Sequence, residues 1–255
     1  MIQARFFIEV QGNHKDIVKN SLKKLSEKLK KEDGITVKKE SLGEVIEEDK
    51  MFSSVLEVEL EFNRFLSFVK TSMFYTPSAV EMIEPPELLL SQNEFLESIA
   101  EIISTADTIF SKLDIGFKFE GGKMGAVGLT QEEIEELLDE GAIWAKIVFE
   151  KKGKTRRGAR SEVLRTLGDR VYINAIKSKK VKSEKPFDGV IGVDALVSDP
   201  VEFADLAIRH TPILVEIKEP EEITLTMLDL QDICLNLAST FFELSYKVTQ
   251  PGGSP

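Results

Sequence analysis

Six glutamates stand in three matched pairs: Glu81 with Glu216, Glu84 with Glu219, and Glu87 with Glu222. They lie in two stretches that begin at Thr76 and Thr211 and share the pattern Thr-Pro-x-x-Val-Glu-x-x-Glu-Pro. Paired carboxylates can move protons to and from a substrate or hold a divalent cation. No histidine recurs beside them, since His210 is matched by Tyr75. Exposed glutamates are also the ordinary case. The motif (Thr76, Glu81, Glu84, Thr211, Glu216, Glu219) therefore reads as a fold signature, a strand bracketed by prolines with its acids in water. No catalytic residue, metal ligand set or cofactor is assigned to it.

A second constellation is electrostatic. Residues 151–185 hold 13 lysines and arginines against three acids, a net of +10, so the other 220 residues carry −21 of a chain total of −11. The matching stretch 12–49 has nine lysines against nine acids. The excess comes from Lys151, Lys152, Lys154, Arg156, Arg157 and Arg160, and then from Lys177, Lys179, Lys180 and Lys182. Such clustering is the footprint of a phosphate-backbone or other polyanion binder. The only aromatic residue in the segment is Tyr172, so no stacking platform for single strands is visible. The same cluster could instead dock on an acidic protein surface.

Other signals are weaker. Gly121–Gly128 precedes a helix start, as phosphate-cradling loops do, but fits neither dinucleotide nor P-loop spacing and reads as a flexible hinge. The single cysteine, Cys234, lies on an apolar helical seam where an inert buried thiol is expected, and it rules out an intrachain disulfide. His14 sits beside a helix start and is expected to be exposed. There is no Cys/His cluster for zinc.

The elements that position these residues repeat. Shifted by 135 positions, residues 52–113 fall on 187–248 without a gap, with 15 identities in 62 pairs. Fixed-period self-similarity marks a duplicated unit. Each copy begins with an apolar run (4–9; 145–150) ending at Gly12 or Gly153. A helix follows, carrying Val18, Leu22, Leu25 and Leu29 or Ala159, Val163 and Leu167 on one face. A strand and turn come next, then a strand through Val55, Val58 and Leu60 or Val190, Val193 and Ala195. The second helix is signalled by Asp199-Pro200, with Asn63 near the same place in copy 1. The last strand ends at Pro85 or Pro220.

Strand, helix, strand, strand, helix, strand is the ferredoxin-like order. The expected fold is therefore α+β, a tandem duplication of a βαββαβ unit, each copy followed by an additional C-terminal helix. Those third helices carry seams spaced four and three: Phe95, Ile99, Ile102, Ala106, Ile109, Leu113, and Leu230, Cys234, Leu237, Phe241, Leu244, Val248. The division expected along the chain is 1–113 as copy 1, 114–141 as a linker, 142–250 as copy 2, and 251–255 as a flexible tail. In the linker a strand is expected over 115–120. Thr130 and Glu133 form a capping box for a short acidic helix.

The composition is 42 % hydrophobic and 30 % charged, with no apolar run long enough to span a bilayer. The N-terminus reads as a strand rather than a signal peptide. A cytoplasmic setting is expected, and the Lys/Glu-rich composition resembles that of heat-adapted proteins. The leading functional reading is a non-enzymatic binding protein whose basic segment contacts nucleic acid, RNA foremost, or another polyanion. The alternative is an interaction or assembly subunit with an acidic protein partner, or a homo-oligomer joined through sheet edges or third helices. A third reading is a small-molecule or metal-dependent enzyme built on the repeated glutamates.

Overall fold

A computed structural model describes residues 1–113, 127–181 and 186–249. The chain is mixed α and β with antiparallel sheets. Its first part runs β1 (Ile2–Gly12), α1 (Lys15–Leu29), β2 (Ile35–Leu42), β3 (Ile46–Glu48), β4 (Met51–Phe62), α2 (Phe65–Tyr75), β5 (Ala79–Glu84), β6 (Glu87–Ser91) and α3 (Gln92–Leu113). The remainder runs α4 (Gln131–Asp139), β7 (Ile143–Gly153), α5 (Arg156–Thr166), β8 (Val171–Lys180), β9 (Phe187–Val197), α6 (Pro200–His210), β10 (Leu214–Glu219), β11 (Glu222–Thr226) and α7 (Met227–Thr249). No helix among the described residues is long and apolar enough to cross a membrane.

The chain forms two compact units, and neither is a continuous stretch. One comprises Met1–Leu89 with Thr224–Pro255; the other is Leu90–Ile223. These spans differ from the division read along the sequence, because α3 belongs with the sheet of the second unit and α7 with that of the first.

In the first unit the sheet order is β2-β4-β1-β5, with β3 also on β4. Alternation sends Ala4, Phe6 and Ile8 to one face, beside Leu60, Val58 and Leu56 across the ladder, and all six are buried. Val55, expected with Val58 and Leu60, points the other way; Leu56 takes its place in the core. Helix α1 covers this face with Val18, Leu22 and Leu29, and Phe68 of α2 meets Phe6 and Phe62 at ring-centroid distances of 6.0 and 5.4 Å. Helix α7 completes the layer by packing on α2 and β5. Its Leu230, Cys234, Leu237, Phe241 and Leu244 are all buried, as the 4-3 spacing requires. Full burial of such a leucine or phenylalanine stabilises by about 1.5–3 kcal/mol.

In the second unit the sheet order is β10-β7-β9-β8. Here α3 supplies the third helix, burying Phe95, Ile99, Ile102 and Ala106, with the Phe95 ring edge-on to Phe203 of α6 at 5.7 Å. The side chains of Leu113 and Val248, which would end the two seams, lie outside those described. Equivalent backbone bonds seat the helix starts. The Gln92 N–H donates to the Glu221 carbonyl at 3.1 Å, and the Met227 N–H donates to the Pro86 carbonyl at 3.2 Å.

Helix α4 starts at the expected capping box, with Thr130 Oγ1 accepting from the Glu133 N–H at 3.2 Å and the Glu133 carboxylate accepting from the Thr130 N–H at 2.7 Å. It buries Ile134 with Ala142 and Leu196, flanked by Leu137, Leu138 and Trp144. Leu196 and Trp144 are cross-strand neighbours on the face away from the helices, so α4 covers that face at the Trp144 end. Asp199 caps α6 as expected, its Oδ1 accepting from the Glu202 N–H at 2.7 Å with Pro200 at the first position. Asn63 does not play that part: Arg64 holds the cap position of α2 without a side-chain bond, and Asn63 instead accepts from Ser67 Oγ at 3.3 Å. Most of Gly121–Gly128, the strand expected at 115–120, and the tail 251–255 lie outside the described residues.

Candidate functional site

The antiparallel register of the second unit gathers the basic segment at one end of its sheet. Strand β7 leaves the sheet there through Lys151, Lys152 and Lys154, and α5 begins at once with Arg156 and Arg157. Strand β8 finishes at the same end, because Lys151 and Lys180 both lie opposite Gly189 of β9, and Lys152 lies opposite Asp188. Gly189 carries no side chain for a reason. A Cβ there would fall 2.3 Å from the Lys179 carbonyl oxygen and 2.9 Å from the Lys180 Cα, so only glycine lets β8 approach this closely.

The cations wrap the end rather than lining one flat face. Lys151 and Lys180 flank Gly189 on the helix side, while Lys152, Lys177 and Lys179 project from the opposite face by strand alternation. Some are engaged. Lys151 pairs with Glu162 at 3.4 Å, and Arg160 Nη2 donates to the Ile176 carbonyl at 3.2 Å. Lys152, Lys154, Arg156, Arg157, Lys177 and Lys179 are exposed and form no ion pair among the described residues. Lys182 lies outside those residues. Two arginines in the first turn of α5 oppose the helix dipole, an arrangement that an external anion would relieve. Tyr172 sits at the other end of β8, opposite Leu196, away from the basic groups.

The repeated glutamates do something different. Glu81 lies opposite Arg5 and accepts from its Nη1 at 2.7 Å; Glu216 lies opposite Lys146, at 3.4 Å. Each is thus neutralised by a cation of its own sheet. Arg5 also reaches Glu57 at 3.4 Å and Glu59 at 3.7 Å. The Lys39 ammonium beside Glu59 holds that carboxyl below the usual range, with Gln3 and Arg5 adding to the effect against the cost of burial. Thr76 and Thr211 both end their helices in the left-handed region, at φ 40° and 36°, immediately before Pro77 and Pro212. Glu84 and Glu219 each precede a cis proline. Among the described residues no group of three or more His, Cys, Asp and Glu side chains is placed to hold a metal ion.

Residues 3–251 match the MJ0538 family. The chain belongs to that family. It is 32 % identical over 263 residues to the uncharacterized protein MJ0538 of Methanocaldococcus jannaschii, covering 97 % of this chain and 98 % of that one. No solved structure matches. For this member of the MJ0538 family, the features missed in the sequence are the convergence of β7, β8 and α5 on one end and a half-buried charge cluster on α6. There Arg209 bonds Glu202 at 3.0 Å and also Asp205, and burial pushes both carboxyls up against its pull. The Glu-x-x-Asp-x-x-x-Arg spacing of one helical face was the available signal for that cluster.

Proposed function

We propose that this chain is a non-enzymatic nucleic-acid-binding protein, RNA its foremost ligand, built from two ferredoxin-like βαββαβ units with exchanged third helices and binding through the basic end of the second. One observation carries the reading: Lys152, Lys154, Arg156, Arg157, Lys177 and Lys179 come from three elements to one end of a sheet and form no ion pair among the described residues. Unsatisfied cations in a chain of net charge −11 are a local exception that favours a polyanion. Among the described residues no exposed aromatic side chain accompanies them, and α4 occupies part of the sheet face opposite the helices. Contact is therefore with the phosphate backbone rather than with stacked bases.

The test is fluorescence anisotropy with a single-stranded RNA oligomer across a salt series. Six neutralised phosphates give a slope of log K against log salt of about −4. Arg156→Glu with Arg157→Glu abolishes binding at moderate salt. A salt-independent affinity, or none at low salt, sinks the proposal, and co-purification with an acidic protein free of nucleic acid would move the basic end to a protein partner.

A further inference from the structure

On the face of the second sheet away from its helices, one cross-strand row is exposed or half-buried throughout. The register sets Lys177 of β8 opposite Gly192 of β9, Gly192 opposite Val148 of β7, and Val148 opposite Leu214 of β10. Three strand spacings make this row about 14 Å long. Its character changes from an exposed cation, through bare backbone, to two aliphatic side chains. Lys177 forms no ion pair among the described residues, and Leu214 is 47 % exposed. Neither backbone nor packing requires the glycine. Gly192 has no left-handed φ, and a Cβ there would meet nothing nearer than Val148 Cγ2 at 3.9 Å. Glycine is disfavoured inside strands, and one that the fold does not need marks a place where a ligand comes close.

The neighbouring residues give the row a direction. In the next row toward the basic end, Lys179 and Glu150 flank Val190, so a phosphate is drawn to β8 and driven off β7. At the Trp144 end of the same face lies α4, with five acids and no cation, where a polyanion is repelled. In the first unit the row through Glu57 reads Ala79, Phe7, Glu57 and Ser41, and Glu57 pairs with Arg5 at 3.4 Å. That row has neither the cation nor the bare backbone. On the reading that RNA binds at the basic end, to which Lys177 and Lys179 belong, we infer that the row in the second unit seats one nucleotide. Its phosphate lies on Lys177, its ribose over Gly192, and its base against Val148 and Leu214. Lys179, two residues along β8 and so about 7 Å away, takes the next phosphate. The base thus rests on aliphatic side chains, with no aromatic stack.

The test uses the full chain with two fluorescein-labelled ligands, a short oligouridine and an inorganic polyphosphate, which has the charge but neither ribose nor base. Gly192→Val fills the row, and because the site has room and β-branched residues suit strands, the denaturant midpoint is expected to hold or rise. Oligouridine affinity is expected to fall at least about tenfold in this variant while polyphosphate affinity stays level. Leu214→Ser, at an exposed position, should show the same split. Oligouridine affinity unchanged in both variants, with Arg156→Glu/Arg157→Glu still inactive, overturns the seat and leaves the basic end standing. Equal loss of both ligands also overturns it, because the variants then act through the lysines. No oligouridine binding by the unaltered chain removes the seat together with the reading beneath it.

Discussion

Ser72 Oγ donates a hydrogen bond to Cys234 Sγ at 3.2 Å, joining α2 to α7 across 162 residues of chain. Both residues are fully buried. Helix α7 packs on α2 and β5 within the first unit, and burial pushes the Cys234 thiol up to about 12. At pH 8 almost no thiolate is present, so native protein should react with an aromatic disulfide reagent at least about a hundredfold more slowly than the same chain in urea. Labelling at the free-cysteine rate would mean that α7 is not seated there.

The placement of α7 in the first unit and α3 in the second makes opposite demands on paired mutations. Phe241→Ala removes a ring from α7, and Phe95→Ala one from α3; each should cost about 3–5 kcal/mol. Hydrogen exchange tells the two apart. Phe241→Ala should deprotect amides of β1, β4 and β5, and Phe95→Ala those of β7, β9 and β10. Loss of protection in β7–β10 from the Phe241 change would contradict the assignment of α7.

His210 gives a pH dependence. Burial, with Arg209 and Lys151 nearby, lowers its value from 6.5 to about 4, while its ring meets Phe149 edge-on at 6.0 Å. Above pH 6.5 both folded and unfolded chains hold it neutral. Between 6.5 and 4 the unfolded chain gains the proton first, so stability falls with pH by up to about 3 kcal/mol and then levels off. Glu202 and Asp205 act with opposite sign, because raised carboxyl values favour the folded state as pH drops. Denaturant midpoints of wild type and His210→Tyr should therefore converge as pH falls from 7 to 4. Parallel curves would show that His210 titrates normally.

Gly189→Ala places a methyl group against the Lys179 carbonyl and should destabilise by about 1–3 kcal/mol. It should also push the end of β8 away from β9, displacing Lys177 and Lys179. RNA affinity should then fall in protein that is still folded by circular dichroism. Full affinity would mean that β8 takes no part in binding.

If β8 and α5 contribute equally, Lys177→Glu with Lys179→Glu should shrink the salt slope as much as the Arg156/Arg157 pair does, by at least about 1.4. A change confined to the α5 variant would restrict the site to the helix start.

Much of this structure was legible in the chain itself, for reasons visible in particular residues. The 4-3 seams of Phe95–Ala106 and Leu230–Leu244 identify helices with buried faces, and Thr130-x-x-Glu133 and Asp199-Pro200 fix helix starts, because these are local signals. Which sheet each seam covers is not local: Phe95 and Leu230 are both apolar, and spacing alone cannot say which partner awaits them. Strands β6 and β11, five residues each, are too short for a periodic signal. The positive charge of 151–185 could be read from composition, but its gathering at one end depends on the register of Lys151 and Lys180 about Gly189.

The late position of α7 also sets a timetable for biosynthesis. The first unit has its sheet and two helices by Leu89, yet it lacks its last helix until the polypeptide passes Met227, 138 residues later. At about 5–20 residues per second the ribosome needs on the order of ten seconds for that interval. Throughout it the apolar side of α2 around Ser72 has no cover from its own helix. A nascent chain arrested before α7 emerges should be open to proteases and chaperones over its first ninety residues, the part made earliest and finished last.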